Sequence, residues 1–240
     1  MNEYIEDAID LLEERSQEIE RHLCFVKELI DSKPQYLAKV SDEKLVKSSD
    51  YQIDRRLVKT LSAASYLLIY NLVESVMTDC LDAVHKQLKS EKLSFFELSK
   101  ELQKICLKDF NKFTANHKTA ENHGEITLEK AMTWLGYNRF NHFNGNIDAK
   151  MIQKKAGEYG FSIGEHDRKF TEDGKILKDI RDNRNRLAHG EVSFETCGQE
   201  TAIEALITLH QQTKVYLNAV LIGVDQYLTA QQYKRSSLTS

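Results

Sequence analysis

Proline occurs once in this 240-residue chain and glycine ten times. A many-stranded sandwich or barrel draws on both for its turns, so their scarcity argues against such folds. The polar stretches also lack the Pro, Gly or Ser bias of a disordered linker. No apolar run approaches the ~18 residues of a membrane span. The first residues, Met1 to Asp7, are acidic where a secretory leader would be basic and then apolar. The expectation is a cytoplasmic protein with no membrane partner. Its four cysteines (Cys24, Cys80, Cys106, Cys197) lie far apart with no paired spacing. That predicts buried free thiols and neither a zinc cluster nor a disulfide framework. An excess of positive charge is missing too: the net charge is -4. Broad electrostatic adhesion to nucleic acid is therefore excluded, and any basic patch has to be local.

What the sequence has in quantity is helical periodicity, so the predicted class is all-α. Over residues 3–31, Ile5, Ala8, Ile9, Leu12, Ile19, Leu23, Val26 and Ile30 recur at spacings of three, four or seven, which makes an amphipathic helix. Pro34 breaks it. The polar stretch to about residue 54 predicts a short helix at most. Residues 57–88 are apolar round more than one face, as expected of a central bundle helix, with Glu74 inside the run and in need of a partner. A further helix is expected at 95–113. Between 114 and 170 the texture changes, with most of the glycines and Asn-rich pieces, and reads as an insertion carrying short helices near 128–135 and 148–159. Regular structure resumes at 175–189, where Gly190 offers a C-terminal cap, and ends in a long helix at about 200–233. The organisation read from this is a single domain over 1–240 with the insertion at 114–170 inside it.

The segment running from Lys175 to Gly190 carries chemistry. At 100° per residue, Ile176, Ile180 and Leu187 fall within about 40° of one another and mark the core face, whereas Asp182, Asn185 and His189 fall on the far side. His189 is thus not a packed core histidine. Lys175, Lys178, Arg181, Arg184 and Arg186 against Asp179 and Asp182 give a local basic patch in an acidic chain.

Arginine with histidine is what metal-free cleavage of an RNA phosphodiester needs. A base takes the 2′-OH proton, an acid protonates the leaving 5′-oxygen, and a cation stabilises the phosphorane as charge develops. Histidine serves either proton role near neutral pH, and the planar guanidinium fork grips non-bridging oxygens. Five positions apart, Arg184 and His189 diverge by about 140°, so one rigid helix does not aim both at one phosphate. Pairing two copies about a two-fold axis solves this, and predicts a homodimer with its site at the interface.

The string Arg184-Asn185-Arg186-Leu187-Ala188-His189 resembles the motif of HEPN domains (higher eukaryotes and prokaryotes nucleotide-binding), whose ribonuclease members carry Arg-polar-x-x-x-His late in a helical bundle. The strings 70–75 and 145–161 are similar to the standalone MAE-type branch, so the likeness covers most of residues 55–235. It implies a HEPN-like bundle with a mostly helical insertion. It also implies a metal-independent, dimeric endoribonuclease that leaves 2′,3′-cyclic phosphate and 5′-OH ends, with RNA as substrate and no cofactor. Such a protein is often a toxin or phage-defence effector held in check by an antitoxin or regulatory protein. The resemblance carries the catalytic role to Arg184 and His189, the supporting polar role to Asn185, and an acid from an earlier helix to Glu74. One HEPN toxin branch, silenced by nucleotidyl modification, has Tyr two residues after the His. Here that position is Glu191, so that form of control is not expected.

Blander readings stand beside these. Arg184 and His189 can be a solvated helix end, and Glu74 a structural acid paired with a core cation. Lys178, Arg181 and Arg186 are candidate phosphate contacts, or simply balance Asp179 and Asp182. The whole chain can also be a non-catalytic helical module that binds nucleotides or protein. His117, His123, His142 and His166 fit no metal-ligand spacing and read as surface-loop histidines. Trp134, Tyr137, Phe140 and Phe143 read as seats for the insertion, with base stacking as the alternative.

Overall fold

The long amphipathic run at the N-terminus is α1 (Glu3–Ser32) in the computed structural model, which describes residues 1–41, 44–116, 137–139, 142–143 and 145–235. The Asn2 side chain caps α1 by accepting from the Tyr4 N–H, and Lys33 ends it in a left-handed conformation just before Pro34. The most apolar segment is α2 (Arg55–Ser90), capped by Asp54. A 3₁₀ turn at Phe95–Glu97 precedes α3 (Lys100–Asn116). Then come α4 (Ala149–Tyr159), the short α5 (Arg168–Thr171), α6 (Ile176–Ala188), α7 (Phe194–Glu200) and α8 (Ile203–Thr229). The architecture is mostly helical. α2 is the central element, packed on α1, α6, α7 and α8, while α3 packs on α4. No helix among the described residues is long and apolar enough to cross a membrane.

One hydrophobic core joins these elements. Its most enclosed side chains include Ile5 of α1, Ile69, Leu72 and Met77 of α2, Tyr159 of α4 and Tyr216 and Tyr227 of α8. The latter part of the expected insertion is woven into it: Ile147, Ile152, Tyr159 and Phe161 are buried, and the Tyr227 hydroxyl donates to the Tyr159 carbonyl at 2.9 Å. Close approach of a neighbouring backbone explains two glycines. A Cβ at Gly198 would stand 1.8 Å from the Lys59 carbonyl oxygen, and one at Gly223 1.8 Å from that of Ser162.

Four expectations need correction. The described residues of 36–52 form no helix but two antiparallel strands, β1 (Tyr36–Ser41) and β2 (Lys44–Gln52), which pair with each other rather than pack on the bundle. Residues 194–200, left between the helices expected at 175–189 and about 200–233, are α7, held to α2 by a hydrogen bond between the Tyr66 hydroxyl and Thr201 at 2.9 Å just beyond its end. Cys24 is exposed, although Cys80, Cys106 and Cys197 are buried free thiols. His142 is not a surface histidine. It is buried beside Asp109, 3.4 Å away, and packs against the rings of Tyr137 and Tyr159. The helix expected near 128–135, and His117, His123, Trp134 and Phe140, lie outside the described residues.

Candidate functional site

α6 delivers the basic segment as the wheel predicts. Ile176, Leu177, Ile180 and Leu187 are buried against the bundle, while His189, the C-cap residue, is exposed. Arg184 and Asn185 are half-buried under a turn that precedes α4. The Arg184 guanidinium lies 4.6 Å from the centroid of the Tyr70 ring on α2. It donates to the Gly145 carbonyl at 3.4 Å and to the Asn185 side-chain oxygen at 2.9 Å. Asn185 in turn donates to the Asn146 side-chain oxygen at 2.9 Å. The Tyr70 hydroxyl accepts from the buried Ile147 N–H at 3.1 Å, which ties the turn to α2. Gly145 makes the turn at φ +69°, in the left-handed region that favours glycine. Three elements thus hold one guanidinium. Burial pushes the Tyr70 hydroxyl up, the Glu74 carboxylate adds to that, and the Arg184 and Arg181 cations oppose it.

The other arginines around the site are compensated. Arg181 pairs with Asp148 and with Asp182, and its hydrogen bond to Asp182 holds its pKa up. Arg186 faces Glu200 at 3.4 Å and Asn183 at 3.0 Å. Arg184 has no carboxylate partner among the described residues. Lys178 is exposed on the same helix. His189 makes no side-chain contact with Arg184 among the described residues, in keeping with their divergence round the helix. Glu74, expected to be paired if buried, is half-buried and without a cation there. It lines an open cleft of about 600 Å³ between α1 and α2.

Sequence reasoning missed Tyr70, Gly145 and Asn146 as parts of this arrangement. Two signals were present: Gly145-Asn146 is a turn pair directly before the Asp148 cap of α4, and Tyr70 sits one helical turn before Glu74.

The segment leading into that turn is anchored by rings. Tyr137 stacks on His85 with centroids 3.7 Å apart and donates to Asp82, and Arg139 pairs with Asp79 at 2.9 Å. His85 bonds the Tyr159 hydroxyl at 3.0 Å, and that hydroxyl lies 3.5 Å from His142. Burial among these rings, with His142 as a second cause, lowers the His85 pKa to about 3. Below about pH 6.5 the unfolded chain takes up a proton that folded His85 refuses, so stability is full above that pH and is lost as pH falls towards 3. Buried His210 acts with the same sign. The melting temperature should fall by roughly 4 °C between pH 7 and pH 5, and His85→Gln should flatten that slope. Differential scanning fluorimetry across pH checks both.

The mostly helical architecture, with α2 at its centre, is a HEPN fold. A model of the HEPN_MAE_28990-like HEPN family matches residues 6–233, and the chain belongs to that family. No curated protein and no solved structure matches the chain. HEPN domains are associated with ribonuclease and nucleotide-binding roles.

Proposed function

We propose that the protein is a metal-independent endoribonuclease that acts as a homodimer, with Arg184 and His189 as its catalytic pair. The observation that carries this reading is the state of Arg184. It is an oriented guanidinium with no carboxylate partner among the described residues, on the helix that ends in an exposed imidazole. A cation already fixed in place, whose charge is not cancelled, is suited to a phosphorane, because it stabilises developing charge without reorganising. Asn185 fits as a positioning residue, since it holds Arg184 through its oxygen and the turn through its amide nitrogen.

In the reaction, an imidazole removes the 2′-OH proton, the 2′-oxygen attacks phosphorus, and the P–O5′ bond breaks as the leaving oxygen is protonated. The products are a 2′,3′-cyclic phosphate and a 5′-OH end. His189 takes the 2′-OH proton and hands it to the leaving 5′-oxygen, opposite the partner's Arg184 across a shared cleft. Lys178 is the best placed of the flanking cations to touch substrate phosphate, whereas Arg181 and Arg186 are engaged by carboxylates. Family membership supports a role as a toxin or phage-defence effector restrained by an antitoxin or regulatory protein.

The direct test is single-stranded RNA in EDTA, compared with the same strand carrying one 2′-deoxynucleotide at the cut position. Cleavage should continue in EDTA and stop at the deoxy position, leaving cyclic-phosphate ends identifiable by mass. Cleavage of the deoxy position would end the proposal, since no nucleophile remains there.

A further inference from the structure

The cleft between α1 and α2 is not used by the chemistry above. Leu11 and Ile19 of α1, Leu68 and Leu72 of α2 and Phe143 give it apolar walls, and Asn71, Ser75 and Thr78 add polar groups. Its charged groups are largely spent on one another. Arg15 pairs with Glu18 at 3.2 Å, and Arg139 with Asp79 at 2.9 Å and Asp82 at 3.1 Å. Glu74 is the exception, a carboxylate with no cation and no hydrogen-bond donor among the described residues, in a lining that mixes apolar and polar side chains. The volume of about 600 Å³ is in the range of small-molecule sites, and such sites combine apolar walls with a few placed polar groups.

Position links this cleft to the scissile phosphate. Glu74 is one turn along α2 from Tyr70 and about 40° round the helix, so it is on the side of the cleft towards Tyr70, the ring that carries the Arg184 guanidinium at 4.6 Å. Phe143, in the far wall, is two positions before Gly145, whose carbonyl accepts from Arg184. A phosphate on Arg184 therefore places its neighbouring nucleoside at the mouth of the cleft.

We propose that this cleft is a nucleobase pocket for the RNA residue next to the cut, and that Glu74 reads guanine there. This rests on the ribonuclease reading and names its substrate preference. The chemistry selects the base. A carboxylate accepts only, and guanine alone among the four bases presents two adjacent N–H donors, N1–H and the N2 amino group, on its Watson–Crick edge. Adenine and cytosine each offer one amino group beside an acceptor nitrogen that the carboxylate repels, and uracil offers one N–H between two carbonyls. Leu11, Leu68 and Phe143 would cover the faces of the ring.

The test uses 2′-O-methyl tetranucleotides, which cannot be cut, with G, A, C or U at the position flanking the central phosphate. Binding to the full-length protein is measured by fluorescence anisotropy, and cleavage sites on a mixed-sequence RNA are mapped in parallel. The G-containing ligand should bind about ten- to a hundred-fold more tightly than the others. Glu74→Gln should collapse that preference with the fold intact by circular dichroism, whereas Lys178→Ala should weaken all four ligands alike. Equal binding of the four bases, or a guanine preference that survives Glu74→Gln, overturns the pocket. Cleavage that needs Arg184 and His189 but shows no guanine bias removes the pocket and leaves the nuclease. A Glu74-dependent guanine preference in a protein that cuts no RNA keeps the pocket and removes the nuclease.

Discussion

Mixing Arg184→Ala subunits with His189→Ala subunits should restore RNA cleavage that neither variant shows alone. Removing the imidazole should cost about 10²- to 10⁴-fold in kcat, and removing the guanidinium about 10²- to 10³-fold, as expected for a lost proton-transfer group and a lost charge-stabilising donor. The two side chains leave α6 about 140° apart and make no contact with each other, so a site that uses both draws Arg184 from one chain and His189 from the other. Each mixed dimer then holds one site with both mutations and one with neither. Random exchange makes half the dimers mixed, so the mixture should recover about a quarter of wild-type activity per chain. If both groups served the same site within one chain, every mixed dimer would be dead and the mixture would stay inactive. Denaturing and refolding the two variants together, followed by a single-turnover assay, decides between these results, and sedimentation of the wild-type protein at micromolar concentration should show a dimer.

The helices were largely legible because burial imposes a period. Ile5, Ala8, Leu12, Ile19, Leu23 and Val26 are all core residues of α1, as their spacing requires. Ile176, Ile180 and Leu187 likewise mark the buried side of α6, and the same wheel put His189 in solvent. The strand pair was not legible for the converse reason. The described side chains of β1 and β2 are exposed, so no core face stamps an alternation on residues 36–52, and pairs such as Val40 with Leu45 act only across the two strands. In the site, the chemical residues were visible and their supports were not. Arg184 and Asn185 touch Gly145 and Asn146, 39 positions away in each case, and Tyr70 reaches Ile147 across 77. Contacts at that separation depend on how helices pack, and a local period carries no trace of them. His142 shows the same limit, since its burial against Asp109 comes from the path of one segment over α3.

Those unread supports make the sharpest claim about catalysis, because Tyr70 should matter only through Arg184. Its ring lies under the guanidinium at 4.6 Å, and its hydroxyl holds the Ile147 N–H of the turn that supplies the Gly145 carbonyl. Tyr70→Phe keeps the ring but leaves a buried N–H without its acceptor, so its main effect should be about 1–3 kcal/mol of stability with a small loss of kcat. Tyr70→Leu removes the cation–π contact as well and frees the guanidinium to wander. Misplacing a charge-stabilising group by about 1 Å can cost on the order of a hundred-fold, so kcat should drop about ten- to a hundred-fold while KM for RNA stays within about three-fold. The decisive measurement is the double variant. With Arg184→Ala already in place there is no guanidinium left to hold, and adding Tyr70→Leu should slow single-turnover cleavage no further. A Tyr70 that only stabilised the fold would lower activity by the same factor in both backgrounds, and that additivity would refute its role in positioning Arg184.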